Sequence, residues 1–363
     1  MRPADLVPAL LLSLCVSPVR AGQDSGTFAS RVASLSEPGG AFDTDNLISN
    51  ERSYLHVVPE LEALSRQAGT NGVYLGVGPD QNFSYIARLR PKMAILIDIR
   101  RDNLLLQLLF KAMFQQARSR VEYLAMLTGR LAPEPWTDWP SKPLEAIVSC
   151  VERAPAMSTA QVKELRIRLS DTIRRYGVPL SDRDLATIDR FHRRFIGDGL
   201  SLQFNTTGRA PQFGYPTYRD LLLEVDRQGR QSSFVATEDA FLFVRGLQAK
   251  HLVVPVVGDL SGPTALTAVG KLLTTLNEQV SAFYTSNVEF YLFGAGTFPR
   301  FVTNLQRLPH QPGALIIRSV FRSGGAGVAP LPGYNSLSIT QPIQALLDGY
   351  AHGRFRRYAE LVR

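Results

Sequence analysis

The stretch 71–103, NGVYLGVGPDQNFSYIARLRPKMAILIDIRRDN, constrains the fold more than any other part of the 363-residue chain. Val73, Tyr74 and Leu75 form a short apolar run that enters Gly76-Val77-Gly78. Pro79, Asp80, Gln81 and Asn82 then lead into a helical segment, Phe83 to Leu89. A second apolar run, Met93 to Ile97, stops at Asp98. Strand, tight turn, helix and strand make a β-α-β unit. Two glycines let the backbone turn sharply and approach a ligand without a Cβ in the way.

A carboxylate at the end of the second strand is placed to accept hydrogen bonds from a ribose diol. The gap from Gly78 to Asp98 fits the spacing of about 20 residues that nucleotide-binding units show. Gln81 holds the place of the third glycine of GxGxxG. The same turn therefore also reads as a plain glycine turn with no ligand.

Around this unit the pattern predicts a Rossmann-like α/β protein, a mostly parallel sheet interrupted by a helical insertion. Residues 22–53 read as an N-terminal linker and lid, with Gly22 to Gly40 rich in Ser, Gly and Ala. The segment Phe42 to Glu51 is dense in acids and amides and precedes a helical run from Tyr54 to Gln67. Ser49 or Asn50 is a capping residue for that run; the functional alternative sets Asn50 and Glu51 over the mouth of the glycine pocket. Residues 54–119 form the first half of the sheet domain and 120–230 a mainly helical insertion, with helices expected over Ser158–Tyr176 and Ser181–Ile196. Residues 231–363 complete the domain, with strands at Leu252–Val257, Ser281–Thr285 and Gly313–Ser319 and a helical, basic tail from Ile339 to Val362. Pro255 inside the third strand points to an irregularity. Ser323 to Gly327 is glycine-rich, and Asn205-Thr206-Thr207 matches a glycosylation acceptor.

In an open parallel sheet, ligands bind beyond the carboxyl ends of the strands. Gly76 and Gly78 follow the first strand, Asp98 the second, Asp259 the third, and Asn287 with Glu289 the fourth. Acids at successive strand ends, joined to a GxG turn, predict a small-molecule pocket.

Here the chain resembles the class I S-adenosylmethionine-dependent methyltransferases, over roughly 71–119 and 251–320. The resemblance implies that Gly76 and Gly78, with the turn residues Asp80 and Gln81, hold S-adenosylmethionine. It implies that Asp98 binds the ribose and Asp259 lies near the adenine. The segment Ser286–Glu289 then faces the methyl group and its acceptor, with Glu289, Asn287 and Glu51 as the catalytic candidates. His56 is a further base, though a cap or surface role suits it better. The GVGPDQN loop departs from the usual glycine loop, and no NPPY or DPPY motif follows the fourth strand. An amino group on a base is therefore not the implied acceptor. The chain as a whole also resembles a bacterial family of methyltransferase-like proteins with an ISNE segment ahead of the glycine strand, which implies a fold and no substrate.

The remaining features bound the alternatives. Hydrophobic content of 45% and charged content of 20% suit a globular core. The net charge of +8 is spread over short pairs such as Arg193-Arg194, which reads as solvated helix surface rather than a nucleic-acid groove. The five histidines have no metal-ligand spacing. Residues 1–21 read as a secretory signal peptide with a small-residue site at Val19-Arg20-Ala21, predicting export to the periplasm; a false signal means a cytoplasmic protein. Cleavage leaves Cys150 alone, read as a buried core thiol, and no later run reaches the length of a membrane span. An exported compartment conflicts with an S-adenosylmethionine enzyme. Two alternatives follow: a non-enzymatic exported binding protein on the same fold, and a nicotinamide-dependent oxidoreductase, for which no Tyr-x-x-x-Lys proton donor is evident.

Overall fold

The computed structural model describes residues 21–67, 71–206, 214–321 and 330–362. The signal-peptide reading up to residue 20, the glycine-rich segment at 323–327 and Thr207 of the glycosylation motif lie outside them.

Before the sheet come α1 (Ala21–Leu35), a 3₁₀ turn over Arg52–Val57 and α2 (Val58–Gln67). The β-α-β unit follows as β1 (Val73–Gly76), α3 (Gln81–Leu89), β2 (Met93–Asp98) and α4 (Arg101–Gln116). The insertion holds α5 (Arg120–Leu127), α6 (Leu144–Arg153), α7 (Thr159–Arg174), α8 (Asp182–Asp198) and α9 (Tyr218–Leu223), and α10 (Glu238–Ala249) follows it. The chain returns to the sheet with β3 (Val253–Val257), α11 (Ala265–Leu276), β4 (Val280–Ser286), α12 (Val288–Gly294), α13 (Phe298–Gln306) and β5 (His310–Phe321). It closes with β6 (Ser336–Pro342), α14 (Ile343–Ala351) and α15 (Tyr358–Leu361).

The six strands form one sheet in the order β3-β2-β1-β4-β5-β6. β1 pairs in parallel with both β2 and β4, so Leu75 lies between Ile95 and Phe283. This is the Rossmann-like arrangement expected from the sequence, and the order reverses between β1 and β4, at the switch point. Every residue of β1 is buried, as in strands covered on both faces. β6 runs antiparallel to β5, so the first part of the expected helical tail is instead an edge strand.

Three local expectations are corrected. The Gly22–Gly40 stretch is not a linker: α1 spans most of it. Phe28, Val32 and Leu35, spaced as one helical stripe, are buried. α1 packs on β3 and α11, and the strap after it bonds to the sheet end through Glu37 N to Val257 O (2.9 Å) and Gly40 N to Ile99 O (2.8 Å). Pro255 is tolerated because β3 is an edge strand, where a missing N–H costs no internal ladder bond. Cys150 is half-buried on α6 rather than in the core. Within the insertion, Ser158 and Ser181 each form a capping box, with Gln161 and Asp184.

Asn82 fixes the glycine turn. Its amide nitrogen donates to Val77 O (2.8 Å) and Pro79 O (2.7 Å), while its oxygen accepts from Tyr74 Oη (2.7 Å). A Cβ on Gly76 would sit 2.0 Å from that oxygen and 2.8 Å from Tyr74 Oη. Gly76→Ala is therefore expected to cost about 1–3 kcal/mol of stability by overpacking, read as a lower urea midpoint. Gly78 is different. It has φ +80° and nothing nearer than 3.4 Å to a built Cβ, so its requirement is conformational.

Candidate functional site

Beyond the carboxyl ends of β1 to β4 lies a cavity of about 310 Å³, near the lower end of small-molecule sites. Of the predicted residues, Gly78, Gln81, Asp98, Asp259, Asn287, Asn50 and Glu51 line it. Gly76, Asp80, Glu289 and His56 do not.

Glu51 is the unusual group. It is buried, and its carboxylate accepts three hydroxyl donors: Ser286 on one oxygen, and Tyr284 and Ser319 (2.5 Å) on the other. Tyr284 Oη accepts in turn from Gln81 Nε2 (3.1 Å). Ser319 continues a buried chain of hydroxyls through Ser338 (3.3 Å) and Ser53 (3.2 Å) to Ser336 (3.0 Å). Among the described residues no cation pairs with Glu51. Burial pushes its carboxyl above the usual range, against the opposing pull of the three hydroxyls. Ser286, which presents one of them, has φ +54° at the end of β4, strained for a residue with a side chain.

Asp98 stands where the ribose acid was expected, but it already has a partner. Arg100 grips it with its backbone N (2.9 Å), Nε (3.0 Å) and Nη2 (2.8 Å). The remaining Nη1 of Arg100 donates to Thr44 O (3.1 Å) and Asp45 O (3.2 Å). Thr44 Oγ1 also donates to Asn205 O (2.8 Å), so the 42–46 segment is pinned as a cover. Asp259 accepts from Ser261 N (2.7 Å) and Oγ (2.9 Å), which shapes the loop after β3. Glu37 binds Asp259 N (2.8 Å), Thr264 N (2.9 Å) and Ala265 N (3.1 Å), capping the start of α11.

The remaining assignments are corrected by burial. Glu289 is locked in a two-pronged ion pair with Arg318 (2.6 and 3.1 Å), both side chains at most 1% exposed. It does not line the cavity, whereas Glu51 does. Gly76 serves the packing of Tyr74 and Asn82. Asp80 is buried against Tyr218 Oη (2.6 Å), and burial raises its carboxyl to about 6. The folded state therefore holds a proton between about pH 4 and 6 that the unfolded chain releases. This contribution is full at low pH and is lost as pH rises through about 6. Asp80→Asn is expected to flatten that dependence and to stabilise the protein at pH 8 by about 3 kcal/mol, roughly two units at 1.36 kcal/mol each. Urea midpoints at pH 4.5 and 8 measure both. His56 is buried edge-on to Tyr334, away from the cavity.

Sequence reasoning missed the mouth. Phe42, Phe204 and Tyr291 line it. Phe42 meets Tyr291 edge-on at 5.0 Å between ring centres. Among the described residues no group of three or more His, Cys, Asp or Glu side chains is arranged to hold a metal ion, and no helix is long and apolar enough to cross a membrane.

The fold is that of a Rossmann-like α/β protein, with a cavity of about 310 Å³ at its switch point. The chain belongs to the family described as a domain of unknown function, DUF7790, which matches residues 47–135 and 206–349. No curated protein matches the chain. The matched segments carry Glu51, the glycine turn, Asp98, Asp259 and all six strands. They omit α6 to α8 of the insertion, and they omit Phe42 and Phe204.

Proposed function

We propose that the cavity binds an adenosyl ligand, S-adenosylmethionine, and that the protein transfers its methyl group to an acceptor with Glu51 as the base. The observation that carries this reading is Glu51, a buried carboxyl with no cationic partner among the described residues, beside the end of β4 and on the cavity wall. A base of raised pKa suits proton removal near neutrality.

The donor set fits this ligand. Gly78 offers close backbone approach and Asp98 a carboxylate for the ribose. The described wall carries Glu51, Asp98 and Asp259 against Arg100 alone, and Arg100 is already paired. Such a wall favours a cationic, donor-rich ligand and disfavours the pyrophosphate of a dinucleotide, which sets the nicotinamide reading lower. Gln81 Oε1, buried without a hydrogen-bond partner, is a further acceptor at this wall. When bound, S-adenosylmethionine supplies an electrophilic methyl group. The protein's part is to position the acceptor and to take its proton at Glu51.

The Asp98–Arg100 pair favours a second reading, ligand capture without chemistry, since an occupied ribose acid weakens cofactor binding. Export, with a mature chain beginning at Gly22, belongs with that second reading, and N-terminal sequencing of the purified protein tests it. Thermal shifts with S-adenosylmethionine, S-adenosylhomocysteine and NAD test the ligand. At a hundredfold excess over Kd the adenosyl ligands should stabilise the fold by about 2.7 kcal/mol, and NAD should not. No shift with either adenosyl compound at millimolar concentration would end the proposal.

A further inference from the structure

We propose that the acceptor is an uncharged aromatic molecule bearing a phenolic hydroxyl, seated at the cavity mouth between Phe42, Tyr291 and Phe204. The inference rests on the methyl-transfer reading and names its substrate class.

Three observations converge on it. The first is the mouth itself. Phe42 is 42% exposed although it forms part of the cavity wall. Tyr291 stands edge-on to it and to Phe290, which is 41% exposed, at 5.4 Å. Phe204 packs edge-on against Tyr215 at 5.2 Å. An exposed Phe42 on the same cavity wall as the half-buried Tyr291 and Phe204 offers a platform for a flat apolar ligand.

The second is charge. Among the described wall residues the lone cation, Arg100, is consumed by Asp98 and by the carbonyls of Thr44 and Asp45. An acceptor carrying a carboxylate or phosphate would meet Glu51 and Asp259 with no free protein cation among the described wall residues to offset them.

The third is the strength of the base. A carboxylate can accept the proton of a phenol during transfer, whereas an aliphatic alcohol is too weak an acid for it. Glu51 and Ser286, whose hydroxyl donates to it, both line the cavity. In the step, the phenol O–H bond breaks as its O–CH₃ bond forms. The proton passes to Glu51, and the electron pair of the broken S–C bond stays on the sulfur. Phe42 and Phe204 lie outside the segments shared with the family, which fits a role in choosing the acceptor rather than in holding the donor.

The test is fluorescence titration of 2-naphthol into the full chain, alone and saturated with S-adenosylhomocysteine, with 2-naphthoate as the anionic control. Naphthol should bind, and naphthoate should bind at least about tenfold more weakly. Phe42→Ala and Tyr291→Ala should each weaken naphthol by about tenfold. Both should change S-adenosylhomocysteine affinity, measured by calorimetry, by less than they change that of naphthol. Equal binding of naphthol and naphthoate, or ring variants without effect, overturns the acceptor class. Binding of S-adenosylhomocysteine without any binding of naphthol overturns it too and leaves the methyl-transfer reading intact. Naphthol binding with no affinity for S-adenosylhomocysteine overturns the methyl-transfer reading, and the acceptor role with it.

Discussion

Glu51→Gln should lower the rate of methyl transfer by about 10²- to 10⁴-fold, the range attributable to a positioned base. Adenosyl-ligand affinity should change little. The amide keeps one acceptor oxygen for Tyr284 and Ser319, and Ser286 can turn its hydroxyl to accept from the new NH₂ group. The wild-type rate should fall on acidification as Glu51 takes up a proton, and the fall should centre above the usual carboxylate range because burial raises this group. The stability effect has the opposite sense. A folded pKa above the unfolded one gives stability that is present at low pH and is lost as pH rises through the folded value. Glu51→Gln removes that loss, so the variant should be the more stable of the two at pH 8. A variant that is both more stable and inactive separates a base from a structural residue. Retention of full activity would move the chemistry elsewhere.

The largest loss of stability is expected at Glu289. Glu289→Ala leaves Arg318 buried without its counter-charge, at a cost of about 3–5 kcal/mol. Gln341 Oε1, which accepts from Arg318 Nη1 at 2.8 Å, offsets little of it because an amide carries no charge. Glu289→Gln should cost less, since one oxygen still accepts. Chemical denaturation measures both. The transfer rate per folded molecule should be nearly unchanged, in contrast to Glu51→Gln. A variant of Glu289 that folds normally and fails to transfer would restore the base role first expected of it.

The elements legible in the sequence are those whose signals are local. The strands around Gly76 and Asp98 announce themselves by apolar runs with defined ends, and their parallel order follows from the intervening helices. β6 was hidden because its alternation is inverted. Ser336 and Ser338 face the interior, while Leu337 and Ile339 are only half-buried, so a polar row marks the inside. α1 was hidden by its Gly, Ser and Ala content, although Phe28, Val32 and Leu35 held the helical spacing. The site was legible as strand ends but not as chemistry. Glu51 gains its character from Tyr284 and Ser319, more than 200 residues away. Glu289 loses its role to Arg318, and nothing near position 98 says whether Arg100 folds back on Asp98 or points to solvent.

That last contact makes Asp98 a shared terminal. Arg100 uses it to hold the backbone of Thr44 and Asp45 down over the cavity, and the proposed ribose uses the same oxygens. Cover and ligand are therefore rivals for one carboxylate. If the ribose takes part of Asp98 from Arg100, the segment at 42–46 is held less tightly, and by linkage a loosened cover strengthens the ligand's grip. Arrival of the ligand would then act as its own key: the cover would unlatch at the mouth, where Phe42 sits and where a second molecule has to enter. In such an arrangement donor first, acceptor second is an order set by a single arginine.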